Sequence, residues 1–329
     1  MYYQQNIEYQ LYSAKQNEKR RLSSIGKSCG KAVVSFAVLG TVLSLILFNV
    51  KGFAELYETN GIFSSAFTAC LAVFTLFLPF LFSYLSLKKK NIIGELPFGN
   101  PQDKNDFFLL IPIAIMVCFI GSIFTGLLST VFDACFGIEF FQPEDTSDYS
   151  TLSGIIVAEF ATAVIPALVE EFAIRGVVMQ SLRRYGDRFA VIMSSFVFAL
   201  MHGNMVQIPF AFIAGIALGY AVIKTGSLWT GIIVHFINNS MAVLSMVAFD
   251  NLSERGSTIF TVGMYSVVFI LGLICAGLYC KKNSNIFYGF SNGNIYYLNN
   301  GEKAKSFIAN VPMALAIAIL IAETAMYIN

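Results

Sequence analysis

Long apolar stretches separated by short polar loops run along the chain from residue 32 onwards. A helix that crosses a bilayer needs about 20 predominantly apolar residues. The predicted spans are Ala32–Val50, Ile62–Leu87, Phe107–Phe132, Leu152–Ile174, Phe189–His202, Ile208–Ile223, Leu228–Phe249, Ile259–Cys280 and Phe307–Ile328. The fifth is the shortest, because His202-Gly203-Asn204 interrupts it. The pattern predicts an all-α fold, a polytopic transmembrane helical bundle of about eight or nine spans.

Lysine and arginine are concentrated in alternate loops. They cluster in the N-terminal tail and in the loops that follow the second, fourth, sixth and eighth spans. The loop after the third span is acidic instead, with Asp133, Glu139, Glu144, Asp145 and Asp148. Because basic loops stay on the cytoplasmic side of a membrane, the N-terminus is predicted to be cytoplasmic and the C-terminus external.

These boundaries divide the chain into four regions. Residues 1–31 form a basic cytoplasmic tail, and residues 32–150 form an N-terminal membrane region of three spans. Residues 151–250 hold the polar motifs described below and form the predicted catalytic core. Residues 251–329 contain the last spans and a predicted cytoplasmic loop at 281–306.

Composition supports the membrane interpretation and excludes other classes. The chain is 56% hydrophobic and 12% charged, about half the charge of a soluble domain, so a lipid bilayer is its predicted surrounding. The net charge of +1 argues against nucleic acid as a partner. The six cysteines form no C-x-x-C pair, which favours small apolar side chains over a disulfide or zinc framework.

Two adjacent glutamates, Glu170 and Glu171, end an apolar stretch. An ionised carboxylate at mid-bilayer is unfavourable by roughly 2.5–3.5 kcal/mol on insertion scales. Two adjacent glutamates in an apolar stretch therefore indicate a functional site. Adjacent helical side chains differ in direction by about 100°, which predicts different roles for the two acids. Glu171 precedes Arg175 by four residues, the favoured order for a helical ion pair. Glu170 is then left to face a cavity.

Both histidines of the chain lie in later apolar segments. Phe198 and His202 are four residues apart and share a helix face, as do His235 and Asn239, with Asn238 close by. Each motif alone has a structural interpretation: a hydrogen-bonded core histidine, or polar contacts that hold helices together. Their joint occurrence with the glutamates favours acid–base chemistry.

Other ionisable residues carry weaker predictions. Glu159 lies eleven residues before Glu170 and is interpreted as a polar contact in the outer leaflet. The arginines at 183, 184 and 188 are interpreted as a topological anchor, and Glu323 is assigned no role.

A carboxylate, two imidazoles and an amide in a shielded cavity suit amide hydrolysis. Glu170 would take a proton from water, and His202 would help to orient or deprotonate that water. His235 and Asn239 would donate hydrogen bonds to the oxyanion, each donor typically supplying roughly 2.7–4 kcal/mol. No serine or cysteine nucleophile with a matching motif stands out.

A metal is the alternative that the residues leave open. Glu170, His202 and His235 make up a zinc ligand set of two histidines and one carboxylate with an open position. The chain has no H-E-x-x-H, the usual helical zinc motif.

The three motifs in this order resemble the CPBP family. That family contains CAAX prenyl proteases similar to the Ras-converting enzyme, together with bacterial bacteriocin-processing and self-immunity (Abi-like) relatives. The motifs are E-E-x-x-x-R at 170–175, F-x-x-x-H at 198–202 and H-x-x-x-N at 235–239. The resemblance covers roughly Gly154 to Val247, under a third of the chain.

The resemblance implies an intramembrane endopeptidase, glutamate-dependent and in some interpretations metal-dependent. It implies that Glu170 activates water, that His202 assists, and that His235 and Asn239 form the oxyanion site. Glu171 and Arg175 are motif residues without a settled role. The Lys-, Asn- and Ile-rich composition suggests a bacterial cell membrane, and therefore a peptide or membrane-anchored protein as substrate.

Two other functions remain open from the sequence. A non-catalytic bacteriocin-immunity or binding protein would keep the same scaffold and motifs. A proton-coupled transporter would use the intramembrane glutamates and histidines as a relay.

Counting residues raises a difficulty for a shared site. Glu170 and His202 lie thirteen and fourteen residues from the arginines of their basic loop, whereas His235 lies only eight residues past Ser227. At about 1.5 Å per residue, His235 is expected nearer the cytoplasm unless helices are tilted or broken.

Overall fold

A computed structural model describes residues 2–287, 289–293 and 297–328. Within these ranges the chain forms eleven helices, which confirms the predicted all-α bundle. The helices are α1 (Tyr2–Phe48), α2 (Phe53–Thr59), α3 (Gly61–Lys89), α4 (Lys104–Phe136), α5 (Leu152–Tyr185), α6 (Asp187–Leu200), α7 (Ile208–Thr225), α8 (Leu228–Asn251), α9 (Glu254–Lys282), α10 (Asn300–Ile308) and α11 (Val311–Ala325).

Seven of the described helices are long and apolar enough to cross a membrane, namely α1, α3, α4, α5, α7, α8 and α9. The predicted fifth span, α6, has 14 residues and reaches only about 21 Å, less than the roughly 30 Å of a bilayer core. The predicted last span is two helices, α10 and α11, bent by 82°. Asn310 caps the second of them by accepting a hydrogen bond from the backbone of Met313.

Two predicted boundaries fall inside helices. Helix α1 runs from the predicted basic tail into the first predicted span without a break at residue 31. The predicted cytoplasmic loop 281–306 contains the start of α10, which opens with a capping box between Asn299 and Glu302. Residues 288 and 294–296 of that loop lie outside the described residues.

Contacts between loops show which helix ends lie together at each end of the bundle. At one, which we call the basic end, Lys282 binds Asp106 at 2.9 Å, and Lys303 donates to the Tyr185 carbonyl at 2.8 Å. Gln102 donates from its backbone to the Thr225 carbonyl at 2.9 Å. These are loops that the lysine and arginine pattern predicted to share one side of the membrane.

The opposite, acidic end joins the remaining loops. Asn251 donates to the Tyr149 carbonyl at 2.8 Å, and the backbone of Phe141 donates to Tyr327 at 3.0 Å. The acidic loop 137–150 therefore contacts both the end of α8 and the end of α11. Basic loops and the acidic loop therefore lie at opposite ends of the bundle, as the charge pattern predicted.

Helices α3 and α5 are not regular throughout. Helix α3 is π-helical over Val73–Phe77, and α5 is π-helical over Phe160–Val164 and Phe172–Met179. The adjacent glutamates of α5 lie between its two π segments. Such segments are frequent at functional sites, and their i→i+5 hydrogen bonding rotates side chains away from the 3.6-residue period.

The helices that carry the motifs pack closely. Helix α7 packs between α6 and α4, and α8 packs along α5. A Cβ on Gly215 of α7 would lie 2.8 Å from the Cβ of Ser195 on α6, so only glycine permits this approach. Small residues allow membrane helices to pack backbone against backbone, and this contact fixes the turn that follows α6.

Candidate active site

The two adjacent glutamates of α5 have different surroundings. The Glu171 side chain is completely buried and binds Arg175, also completely buried, at 2.6 Å. The Glu170 side chain is 26% exposed. The predicted ion pair is thus present, and Glu170 is the less buried of the two carboxylates.

The imidazole of His235 lies between both glutamates. Its Nδ1 lies 3.0 Å from Oε1 of Glu171, and its Nε2 lies 3.8 Å from Oε2 of Glu170. An ionised carboxylate only accepts hydrogen bonds, so Nδ1 carries a proton and donates it to Glu171. His235 is therefore held on α8 with Nε2 directed toward Glu170.

Gly231 makes room for the Glu171 carboxylate one helical turn before His235. A Cβ at this position would lie 2.6 Å from Oε2 of Glu171 and 2.8 Å from a methyl of Val222. Real Cβ atoms do not approach other atoms so closely. Glycine is therefore required if α8 is to bring His235 against Glu171.

Arg175 links α5 to the helices that hold the histidines. Its Nη2 donates to the Gly215 carbonyl on α7 at 3.4 Å, and its guanidinium lies 4.4 Å from the centre of the Phe198 ring. A desolvated cation over an aromatic face can contribute about 2 kcal/mol. The arginine thus neutralises Glu171 and fixes the ring that supports His202.

His202 lies on the turn after α6. Its Nδ1 is 2.9 Å from the Phe198 carbonyl, and the two rings meet edge to face at 4.8 Å between centroids. A carbonyl only accepts hydrogen bonds, so Nδ1 donates and Nε2 of the neutral ring keeps its lone pair. The Phe198 ring also lies edge to face with the His235 ring, at 6.1 Å between centroids, so one aromatic side chain contacts both imidazoles.

The turn after His202 is held by polar contacts. Gly203 has a positive φ of 64°, which favours glycine. Asn204 is 2% exposed and donates to the His202 carbonyl at 3.0 Å and to the Gln207 side chain at 3.2 Å. His202 therefore sits on a fixed turn.

The side chain of Asn239 hydrogen-bonds to groups other than the glutamates and the histidines. Its amide donates to the Thr162 carbonyl on α5 at 2.9 Å and accepts from Asn238 at 3.1 Å. Among the described residues, its side chain makes no hydrogen bond to the glutamates or to the histidines. Nearby, Ser240 hydrogen-bonds Glu159, which makes that glutamate a polar contact between α5 and α8.

Two neighbours of the cluster were not predicted. Glu323 on α11 packs on the turn that carries His202, because a Cβ on Gly203 would lie 3.1 Å from its carboxyl carbon. This contact depends on the bend between α10 and α11, which the sequence did not indicate. Gly231 was also missed, although a glycine four residues before a motif histidine is a usable signal.

The predicted zinc ligands do not form a metal-binding group. Both histidines hydrogen-bond through Nδ1, as metal-ligating histidines usually do. Nevertheless, no three His, Cys, Asp or Glu side chains within the described ranges stand close enough together to hold a metal ion. The residues as arranged do not fit the metal, and the zinc alternative stays a prediction.

The depth offset predicted for His235 is wrong, since its ring contacts both glutamates. The count assumed regular α-helix throughout. Eight residues of α5 immediately after Glu171 are π-helical, which places more residues in each turn and shortens the path to the basic end.

Fold and site together define a polytopic membrane protein with a polar, partly accessible site of two carboxylates, two imidazoles and a guanidinium. Residues 152–241 match the family model described as Type II CAAX prenyl endopeptidase Rce1-like. The segment spans α5 to the middle of α8 and contains all three motifs.

This match confirms the resemblance for residues 152–241, which are similar to the family of CAAX-type intramembrane proteases. It covers just over a quarter of the chain, so α1–α4 and α9–α11 lie outside it. No curated protein and no solved structure matches the chain.

Proposed function

We propose that the protein is an intramembrane endopeptidase that hydrolyses a peptide bond of a membrane-associated protein or peptide, with Glu170 as the general base. One observation carries this proposal. Of two adjacent carboxylates, Glu171 is buried and bound to Arg175 and His235, whereas Glu170 is partly exposed and faces the second nitrogen of His235. Glu171 holds Arg175 and His235 in place, and Glu170 is free to exchange a proton with water.

The first step forms the tetrahedral intermediate. Glu170 takes one proton from a water molecule. The lone pair on Nε2 of His202 accepts a hydrogen bond from the other O–H of that water and so orients the molecule. The water oxygen bonds to the substrate carbonyl carbon, and the carbonyl π electrons move to its oxygen. General-base catalysis of this kind typically contributes about 10²–10⁴-fold.

His235 stabilises the resulting oxyanion. Its Nδ1–H is engaged by Glu171, so Nε2 can donate a hydrogen bond only when the ring is an imidazolium. One donor to an oxyanion typically contributes about 10²–10³-fold.

The second step breaks the peptide bond. Protonated Glu170 gives its proton to the amide nitrogen, the C–N bond breaks, and the carbonyl re-forms as the new carboxyl group. Asn239 has one amide hydrogen beyond the one donated to Thr162, and we assign it a supporting contact to the substrate backbone.

The charge pattern sets the proposed orientation. By the positive-inside rule the basic end faces the cytoplasm, which places the N-terminus there and Glu139 outside. We propose a bacterial cell membrane as the location and a peptide or membrane-anchored precursor as the substrate.

The test is cleavage of a defined panel of synthetic single-span peptides with polar, basic or acidic flanks, co-reconstituted with the full chain in liposomes. New peptide ends are identified by mass spectrometry. Glu170→Gln is expected to slow cleavage by about 10²–10⁴-fold. Glu159→Gln, the same change on the same helix, is expected to keep it.

Equal cleavage by the wild-type chain and Glu170→Gln would overturn the proposal. Absence of cleavage by the wild-type chain, with proton-coupled solute uptake into the same liposomes, would favour a transporter instead.

A further inference from the structure

A stripe of polar side chains follows one face of α4, the most apolar of the candidate spans. Ser122, Thr125, Ser129 and Asp133 are spaced three and four residues apart, so they share a helix face. The stripe runs from the acidic end about 16 Å toward the middle of the bundle. Polar side chains on a membrane helix mark a site or a water-filled path more often than a lipid contact.

This stripe is one wall of a groove of about 840 Å³, within the usual size range of ligand sites. The acidic loop supplies the second wall through Glu139 and Gln142, and the start of α7 supplies the third through Gln207 and Phe210. The acidic loop is held in place by the backbone hydrogen bond from Phe141 to Tyr327.

The groove adjoins the candidate active site. Gln207 accepts a hydrogen bond from Asn204, which also donates to the His202 carbonyl. One wall of the groove is therefore the turn that carries His202. The groove and the turn that carries His202 are therefore joined through Asn204.

Thr125 indicates that the groove is built to bind something polar. Its side chain is 6% exposed and lines the groove, yet its hydroxyl has no hydrogen-bond partner among the described residues. Helical threonines ordinarily bond the carbonyl one turn back, as Thr130 does with Gly126 at 3.0 Å. A buried hydroxyl left without a hydrogen-bond partner is unfavourable, and a ligand in the groove would supply the partner.

The charge of the groove selects the ligand. Asp133 and Glu139 are its ionised groups, and no lysine or arginine lines it. Neither carboxylate forms an ion pair within the described part of the chain. Hydroxyl and amide groups match a peptide backbone, and the two carboxylates match basic side chains.

We propose that this groove binds a basic, polar segment of the peptide substrate, on the acidic-end side of the bond that is cut. The role as a substrate subsite rests on the proposed peptidase function. The binding itself does not, because Glu170 is not part of the groove.

The probes are two labelled peptides, GKSKSKG and its lysine-to-glutamine counterpart GQSQSQG. Their binding to the full chain in uncharged detergent is measured by fluorescence anisotropy at low salt. The lysine peptide is expected to bind about five- to tenfold more tightly, since exposed ion pairs are individually weak. This preference should shrink as salt rises, because salt screens exposed charges.

Variants locate the binding. The double change Asp133→Asn with Glu139→Gln is expected to erase the preference for lysine. Thr125→Val, which keeps the shape but removes the hydroxyl, should weaken both peptides by about three- to tenfold. Glu58→Gln removes an acid on α2 at the same end of the bundle, outside the groove, and should change neither affinity.

Equal affinity for the two peptides, or a lysine preference that survives the double change, would overturn the groove proposal. Glu170→Gln separates this proposal from the proposed function. Its peptide binding should equal that of the wild-type chain, and a loss there would place the peptide in the active site instead. Peptide binding with no cleavage by any variant would contradict the peptidase function and leave the groove as a peptide site.

Discussion

Replacing Gly231 by alanine tests whether α8 must approach Glu171 as closely as the structure has it. The new methyl would lie 2.6 Å from Oε2 of Glu171 and 2.8 Å from Val222, so the carboxylate has to move. Its other oxygen holds Arg175 at 2.6 Å and His235 at 3.0 Å. A shift sufficient to relieve the contact lengthens at least one of these hydrogen bonds.

The magnitude follows from three contributions. Loss of one hydrogen bond between charged groups is unfavourable by about 1.5–3 kcal/mol, and an added methylene in a packed core by about 1–3 kcal/mol. The better helix propensity of alanine offsets about 1 kcal/mol. We therefore expect a net destabilisation of about 1.5–5 kcal/mol. Cleavage should fall by about 100-fold, since a misplacement of about 1 Å has this effect.

Thermal unfolding in detergent and cleavage of the peptide panel measure these two effects. Gly263→Ala is the matched control, because a Cβ at this position in α9 meets no atom within 4 Å. It should leave cleavage unchanged and the unfolding temperature equal or higher. If Gly231→Ala behaves like this control, the close approach of α8 to Glu171 is wrong.

Three further predictions concern the buried Arg175, the carboxylate of Asp148 and the zinc alternative. Arg175→Met should destabilise the chain by about 3–5 kcal/mol, because it leaves Glu171 buried without its partner. Adding Glu171→Gln should recover part of this loss of stability, measured by thermal unfolding. A further loss in the double variant would contradict the ion pair. The Thr151 hydroxyl, with Ser150, lowers the pKa of Asp148 from 3.8 to about 2. This carboxylate therefore stabilises the fold above pH 3.8 and loses its effect as pH falls toward about 2. The difference in unfolding temperature between the wild-type chain and Asp148→Asn should shrink over that range, and a constant difference would refute it. A zinc chelator should leave cleavage unchanged, whereas a loss restored by added zinc would support the metal alternative.

Much of the fold was predictable because membrane helices are constrained by length and charge. Eight of the nine predicted spans each correspond to one helix, and the ninth to two. The basic loops meet at one end of the bundle, as Lys282 with Asp106 illustrates. The exceptions have local causes. Helix α6 is short because the chain turns at Gly203, and the last span bends where Asn310 begins a new helix.

The site was predictable as a set of residues, but its geometry was not. The Glu171–Arg175 pair follows from helical spacing alone. The position of His235 between both glutamates does not, because π-helical segments change the register of α5. Contacts between distant helices, such as Arg175 over Phe198 and Glu323 beside Gly203, leave no periodic signal in the sequence.

The central claim is that Glu170 and His202 act on the same water molecule. A double-mutant cycle in cleavage rate tests it most directly, with Glu170→Gln, His202→Asn and the combination of both measured on one peptide of the panel. Residues that act as a unit show strongly non-additive effects. We predict that the double variant is about as slow as the slower single variant. A double variant whose loss equals the product of the two single losses would contradict the shared site.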